Sequence, residues 1–444
     1  MDIDITGWLR ENIVRLRTIE PGDASYRELE PLRDIVGDAR VVAIGESTHR
    51  VHEFYQLRHL VTRFLAEEMG FTAFAMESGF PEGWAVHDWV LGGGGDLDAL
   101  LRDGITYHMG KCAEMRDQLL WMREHNLTHD RKLRFYGMDV PDSSASALPG
   151  VLAALGFLDE ADPEYAAAVG RNLVPLLDYL PSDRTGLAWA APAIHAYLAL
   201  GAAHRHELTA RISELAERLR ALRVPYSTVD PTKADIALQC AVNARYADAF
   251  LANIAAAPER TYRGANVRDA AMADNVEWIL GREDRVVIAA ANGHVQRWPY
   301  RVPPIITEEQ VMLGQHLARS LGERMVVIAT TFATTYNGGR VFSHRPLVDG
   351  PPGHTEVFHE DVAPFTEPGS LDVLLASAGE PLALLDLRDV PADGAVADRF
   401  ARIDGTQQGA YKQLVNPLVA FDAVVHIDKV TPWHTFVGPP RKRV

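Results

Sequence analysis

The chain has 444 residues, with 44 Lys and Arg against 60 Asp and Glu and a formal net charge of −16. Hydrophobic residues make up 47% and charged residues 23%, which places it among globular proteins and excludes disordered, collagen-like and coiled-coil chains. The acidic balance argues against nucleic acid or an anionic membrane as partner, since both recruit Lys and Arg, and favours a neutral or cationic small molecule.

Apolar, β-branched runs bounded by turn residues recur along the chain, at 41–44, 71–76, 133–138, 286–291, 325–330, 382–387 and 421–427. Runs that are hydrophobic on both faces predict buried strands of a largely parallel sheet. Between the first three, the spacing predicts helices over 51–69, with Phe54, Leu57, Val61, Leu65 and Met69 on one side, and over 114–125, with Met115, Leu119 and Met122. This alternation predicts an α/β fold.

The stretch 150–265 lacks a strand pattern and has helical periodicity at 166–180, 189–201, 207–222 and 233–257. Pro192 should kink or end the second of these. The expected organisation is an α/β core in two halves, 1–149 and 266–444, split by an inserted all-helical lobe over 150–265. The segments 348–354 and 360–369 read as loops. Gly92–95 is a flexible turn and no P-loop, since no Gly-Lys-Ser/Thr follows.

Cys112 and Cys240 are the two cysteines. They form no Cys-x-x-Cys pair, so a disulfide framework or structural zinc is not expected. The charged N-terminus lacks a signal-peptide core, and no apolar run reaches membrane-spanning length. A soluble, cytoplasmic protein with no membrane partner is expected. The oligomeric state is not legible.

Several strand ends finish in polar residues. The first runs into Gly45-Glu46-Ser47-Thr48-His49, the second ends at Glu77, the third at Asp139 and the fourth at Asn292-Gly293-His294. Ligands of open α/β sheets bind beyond the carboxyl ends of strands, and a carboxylate there is costly unless paired or used. Asp139 alone could simply cap a turn. Glu46, His49, Glu77 and His294 together read as a site. With a helix starting near Thr48, His49 falls in its first turn, and the dipole keeps the imidazole neutral and able to act as a general base. Arg58 lies two and a half turns further, on roughly the opposite azimuth, and reaches inward only through its length or a bend.

The usual nucleophile motifs are missing. Neither Gly-x-Ser-x-Gly nor His-Glu-x-x-His occurs, and both cysteines stand in apolar helical contexts. Hydrolysis would therefore use activated water. No cofactor is expected, although a divalent metal on Glu46, His49, Glu77 and His294 stays open, because those residue types suit zinc, manganese or iron.

These residues together resemble the erythromycin esterase family. The likeness is carried by the Gly45–His49 turn, Glu53-Phe54, Arg58, Gly70-Phe71 and Glu77. Trp121-Met122-Arg123 and Asn126 add to it, as do the strand ending at Asp139, Arg268-Asp269, Met272, Asn275, Asn292-Gly293-His294, Met312 and Gly314. The resemblance implies an α/β core whose helical lobe lies over a deep active-site cleft, and a carboxylic ester hydrolase that opens a macrolactone or similar polyketide ester. By that resemblance His49 is the base that activates water. Glu46 and Glu77 orient water or base, Arg58 steadies the carboxylates, and His294 is a second catalytic histidine. Arg268 and Asn292 line the substrate region.

Tyr107 and His108 stand where many members carry Trp-rich sequence, so both are candidate substrate contacts. The expected partner is a small-molecule polyketide or macrolide. Two alternatives keep the same residues: a biosynthetic tailoring enzyme performing ester transfer, cyclisation or elimination, and a non-catalytic ligand-binding protein.

Overall fold

A computed structural model describes residues 5–22, 25–179, 191–256, 264–335, 340–346, 355–361, 365–409 and 411–435. Among these residues eight strands form one sheet. They are β1 (Val14–Arg15), β2 (Val41–Glu46), β3 (Ala73–Gly79), β4 (Arg134–Asp139), β5 (Val286–Ala291), β6 (Met325–Thr335), β7 (Leu382–Asp386) and β8 (Ala423–Val430). The order across the sheet is β1-β7-β8-β6-β2-β5-β3-β4. From β8 to β4 every neighbour is parallel. β1 and β7 are antiparallel and close one edge. The fold is α/β with a largely parallel sheet.

The continuous apolar runs have a simple cause. Val42, Ile44, Phe74, Met76, Val287 and Ala289 enter one buried cluster, while Val41, Ala43, Ala73, Ala75, Val286 and Ile288 enter another on the opposite face. Side chains alternate across a strand, so a sheet covered on both faces needs apolar residues at every position. Helix α1 (His52–Met69) and helix α2 (Ala113–Thr128) cover the first face, through Leu57, Val61, Leu65, Met115 and Leu119. Gly70 ends α1 in the left-handed region, its N–H donating to the Leu65 carbonyl, a backbone shape that favours glycine.

Between β4 and β5 the described residues are helical wherever they are regular. Leu148–Ala161, Pro163–Asn172, Ala202–Ala221 and helix α3 (Pro231–Ala255) enclose a separate apolar cluster around Val151, Leu158, Ile212, Leu215 and Ala244. Pro192 stands in the first turn of the described part of its helix, Ala191–Ala199, where a missing N–H is tolerated. Helix α4 (Gly264–Leu280) returns to the sheet, burying Met272, Val276 and Ile279 on its second face.

Asn275 ties the helical segment to the core. Its amide donates to the Met138 carbonyl at 2.9 Å and to Asn243 at 2.8 Å, and accepts from Gln239 at 2.9 Å. The sequence pattern misses the short helices Phe80–Val90 and Leu97–Asp103 and the two-stranded hairpins such as Gly405–Gln408 with Tyr411–Leu414. The loop expected at 348–354 lies outside the described residues. That expected at 360–369 begins with the last two residues of the strand Thr355–Asp361. No helix among the described residues is long and apolar enough to cross a membrane.

Candidate active site

Strands β2, β5, β3 and β4 are consecutive neighbours, and their registers bring their carboxyl ends to one rim. Glu46 pairs across from Ala291, and Met76 from Ala289. Glu46 is therefore the last residue of β2, Glu77 lies near the end of β3, Asp139 ends β4, and His294 sits in the single turn Asn292–Val295 after β5.

His49 does not stand on a helix. The helix begins at His52, with Val51 as its N-cap in extended conformation. Val51 bridges to Pro432 and the His52 N–H donates to the Thr431 carbonyl, so pairing with the segment after β8 keeps the chain extended through the position where a helix was expected. His49 Nδ1 lies 2.5 Å from Glu46 Oε1. The carboxylate is buried, whereas the His49 side chain is 31% exposed. Nothing among the described residues bonds its Nε2. Burial pushes the imidazole down, but the hydrogen bond and charge of Glu46, with Glu77 beyond, outweigh it and raise its pKa above the ordinary value. The lowered pKa expected from a helix dipole is thus reversed.

Arg268, on α4, is the hub of the second half of the site. Its Nε lies 3.0 Å from both carboxylate oxygens of Asp139 and its Nη2 2.5 Å from Asp139 Oδ2. The same Nη2 donates to Glu77 Oε1 at 2.8 Å, and Nη1 lies 3.3 Å from His294 Nε2. Glu77 Oε2 accepts the Ala291 N–H at 3.0 Å. His294 stands between two carboxylates, Nδ1 2.7 Å from Asp269 Oδ1 and Nε2 3.3 Å from Glu77 Oε1. Asp269 Oδ1 also accepts the Leu313 N–H at 2.9 Å, which fixes its rotamer.

Four buried carboxylates, Glu46, Glu77, Asp139 and Asp269, of which Arg268 pairs with Glu77 and Asp139, favour extra protons on the imidazoles. Burial works against the His294 cation, but the charges of Asp269 and Glu77 prevail and raise its pKa to about 10. Burial likewise opposes Glu77 ionisation, yet His294, Arg268 and His49 hold its carboxyl well below the usual range. At neutral pH the site holds a cationic Arg268 and His294 beside a more exposed, titratable His49.

The loops around this rim are strained. Arg50, Tyr107, His108, Asp142, Ser143 and Ser144 are the non-glycine residues with positive φ among those described. They meet each other. Ser143 Oγ accepts the Tyr107 N–H, the Tyr107 hydroxyl bonds Ser144 Oγ at 2.8 Å, and Arg50 donates to the Tyr107 carbonyl at 3.3 Å. Left-handed conformations of such residues are costly and cluster at functional sites.

The structure brings Glu46, His49, Glu77, His294 and Arg268 together. Tyr107 joins them, its ring 5.1 Å from the Arg268 guanidinium carbon. His108 is beside it on the same strained turn, half-buried, its carbonyl accepting the Lys111 N–H. Two expectations need correction. Arg58 does not steady the carboxylates: it is buried, stacked over the Tyr55 ring at 3.9 Å, with Nε 3.4 Å from Gln118 Oε1. The start of the helix at His52 turns it into the seam between α1 and α2. Asn292 does not face a substrate either. Its amide donates to the Thr330 carbonyl at 2.8 Å and accepts the Thr330 N–H at 3.2 Å, which uses both ends.

Sequence pattern assigns no role to Asp269 and leaves Asp139, taken alone, compatible with a turn cap. The available signal was the Arg268-Asp269 pair itself: adjacent opposite charges in a stretch otherwise rich in Ala and Val. A cavity of about 520 Å³ lined by Arg33, Thr72, Arg131 and Arg285 lies at the opposite, N-terminal edge of the sheet and takes no part in this group.

Comparison with known proteins adds to this geometry. The family model described as erythromycin esterase matches residues 66–430. Erythromycin esterase type II of Escherichia coli is 29% identical over 434 residues, covering 95% of this chain and 97% of that protein. The type I enzyme of Escherichia coli is 24% identical, covering 84% and 89%. A solved mutant of the erythromycin esterase EreC, in its open conformation, has a TM-score of 0.78 at 19% identity, covering 96% of this chain and 99% of that one. A Bacillus cereus protein has a TM-score of 0.77 at 21% identity, covering 97% and 98%. At these identities the solved structures speak for the fold alone.

Proposed function

Because the chain belongs to the erythromycin esterase family, whose name and relatives mark hydrolases of macrolide esters, we propose that it opens an ester or macrolactone of a polyketide by water that His49 activates. The observation that carries this reading is the His49–Glu46 pair, with one imidazole nitrogen held by a buried carboxylate and the other left open on the rim. Nε2 takes a proton from water and the water oxygen adds to the ester carbonyl. The carbonyl electrons move to an oxyanion, which the Arg268 and His294 cations stabilise. The tetrahedral intermediate then expels the alcohol oxygen, which receives the proton from His49, and the products are a carboxylic acid and an alcohol.

A positioned base contributes roughly 10²–10⁴-fold and preorganised donors at the oxyanion as much again. No serine or cysteine enters this sequence. Both thiols are buried, and burial pushes each well above its usual range. No cofactor is invoked either. The helical segment 150–265, taken as a lobe over the rim between core segments 1–149 and 266–444, selects the substrate. The acidic surface attracts the cationic amino sugar that many macrolides carry.

The test is a panel of macrolide lactones and simple esters turned over in heavy-oxygen water. Hydrolysis adds the mass of one water and places solvent oxygen in the new carboxylate. A product of unchanged mass, or one without solvent oxygen, moves the assignment to a tailoring reaction at the same residues. Stoichiometric binding with no product would make the chain a binding protein.

A further inference from the structure

A second group of ligating side chains lies outside the proposed catalytic group. His52, at the start of α1, places Nδ1 2.6 Å from Glu114 Oε1, at the start of α2. His434, in the segment after β8, places its own Nδ1 2.7 Å from the same oxygen. One ligand atom from each residue lies within 4.8 Å of the other two, and no other group of three such residues does so among those described.

Three features separate this cluster from an ordinary buried ion pair. Glu114 Oε1 carries three donors, His52 Nδ1, His434 Nδ1 and the His434 N–H at 2.9 Å. Glu114 Oε2, in the same buried carboxylate, accepts no hydrogen bond from the described residues. An unpaired buried carboxylate oxygen is costly, and such atoms call for an explanation such as an ion. Secondly, His52 is held from behind. Its Nε2 lies 3.2 Å from Glu20 Oε1, and Gln56 fixes Glu20 by donating to Oε2 at 3.0 Å. A carboxylate on the far nitrogen of an imidazole is the usual support of a metal-ligating histidine. Thirdly, the cluster is open to solvent on one side, since the His434 side chain is 68% exposed while that of Glu114 is 2% exposed.

We infer that His52, Glu114 and His434 bind one divalent transition-metal ion, zinc foremost. Two imidazoles and one carboxylate are ligands zinc accepts, at about 2.0–2.2 Å, with water completing a tetrahedron. The metal takes the place of hydrogen between each Nδ1 and the carboxylate, and each imidazole binds as the neutral ring with its one N–H on Nε2. It clamps three segments that the backbone already aligns. Val51 bridges Pro432, Cys112 bridges Thr435, and Glu53 accepts from both the N–H and the hydroxyl of Thr431 at 2.7 Å. The first of these segments continues from His49, so the ion braces the loop that carries the base. This inference stands whether or not the hydrolytic reading holds.

The experiment titrates Zn²⁺ into the untagged full chain after chelator treatment, by calorimetry, with Co²⁺ absorbance as a second readout. Wild type, His434→Ala and His49→Ala are compared. His434 is largely exposed, so its replacement leaves the fold intact, and circular dichroism checks this. Wild type and His49→Ala are expected to bind one ion and to gain thermal stability from it. His434→Ala is expected to lose affinity on the order of 100-fold or more, since even a supporting residue costs 10–100-fold. No stoichiometric binding by wild type, unchanged binding by His434→Ala, or binding lost in His49→Ala would each overturn the inference.

Discussion

Glu46 Oε1 lies 2.5 Å from Nδ1 of His49, joining a buried carboxylate to an imidazole open to the rim. The pairing both orients the ring and raises its pKa, which makes it a stronger base once deprotonated. A base acts above its pKa, so the rising limb of kcat/KM against pH is expected above the ordinary histidine value. Glu46→Gln removes the charge that raises it. The limb then moves to lower pH and kcat at its plateau falls by about 10–100-fold, within the range of general-base contributions. A pH–rate profile of both proteins measures this, and an unmoved limb would remove Glu46 from its role.

In the proposed reaction His294 has the opposite task. Held protonated by Asp269 and Glu77, with a pKa of about 10, it acts as a cation. Activity should therefore decline as pH rises towards 10, giving a bell-shaped profile. Asp269→Asn takes away one of the charges that raise this pKa, so the falling limb moves to lower pH. A loss in kcat of about 10²–10³-fold is expected, the usual cost of an oxyanion donor. A falling limb unchanged in Asp269→Asn would show that His294 is not the group that titrates there.

Gly45 faces the Asn292 side chain so closely that a β-carbon would overlap the amide oxygen. Gly45→Ala forces Asn292 off the Thr330 backbone and shifts the turn that carries His294. Turnover is expected to fall with little change in overall helicity. A fully active Gly45→Ala protein would show that the Asn292 lock is dispensable.

Asn275 is wholly buried and serves Gln239, Asn243 and the Met138 carbonyl. Asn275→Ala strands these partners at about 1–3 kcal/mol for each group left unsatisfied. The thermal midpoint should drop clearly, and proteolysis should find the helical segment first. An unchanged midpoint would contradict its role as the tie between that segment and β4.

Much of this was legible because two physical signals survive in sequence. Strands buried on both faces read as unbroken apolar runs, as at Val286–Ala291. Polar residues that end such runs, such as Glu77 and Asp139, stand out because burying them is expensive. What escaped was set by distant contacts. The start of α1 depends on pairing with Pro432, nearly the whole chain away. Arg58 is turned from the carboxylates by that same shift and by the Tyr55 ring. Asn292 reads as a ligand contact from its place at the end of β5, whereas its lock on Thr330 reaches past β2 to β6, a proximity the sequence does not mark. Arg268 as the hub, and Asp269 as the partner of His294, follow from α4 returning over the rim, which periodicity alone does not reveal.

The most direct test is the single-turnover rate of His49→Gln on the best macrolide ester, with circular dichroism to show an intact fold. The expected result is a loss of about 10²–10⁴-fold at the pH of maximal wild-type activity, with substrate affinity nearly unchanged. A folded His49→Gln protein that keeps wild-type turnover would contradict the account.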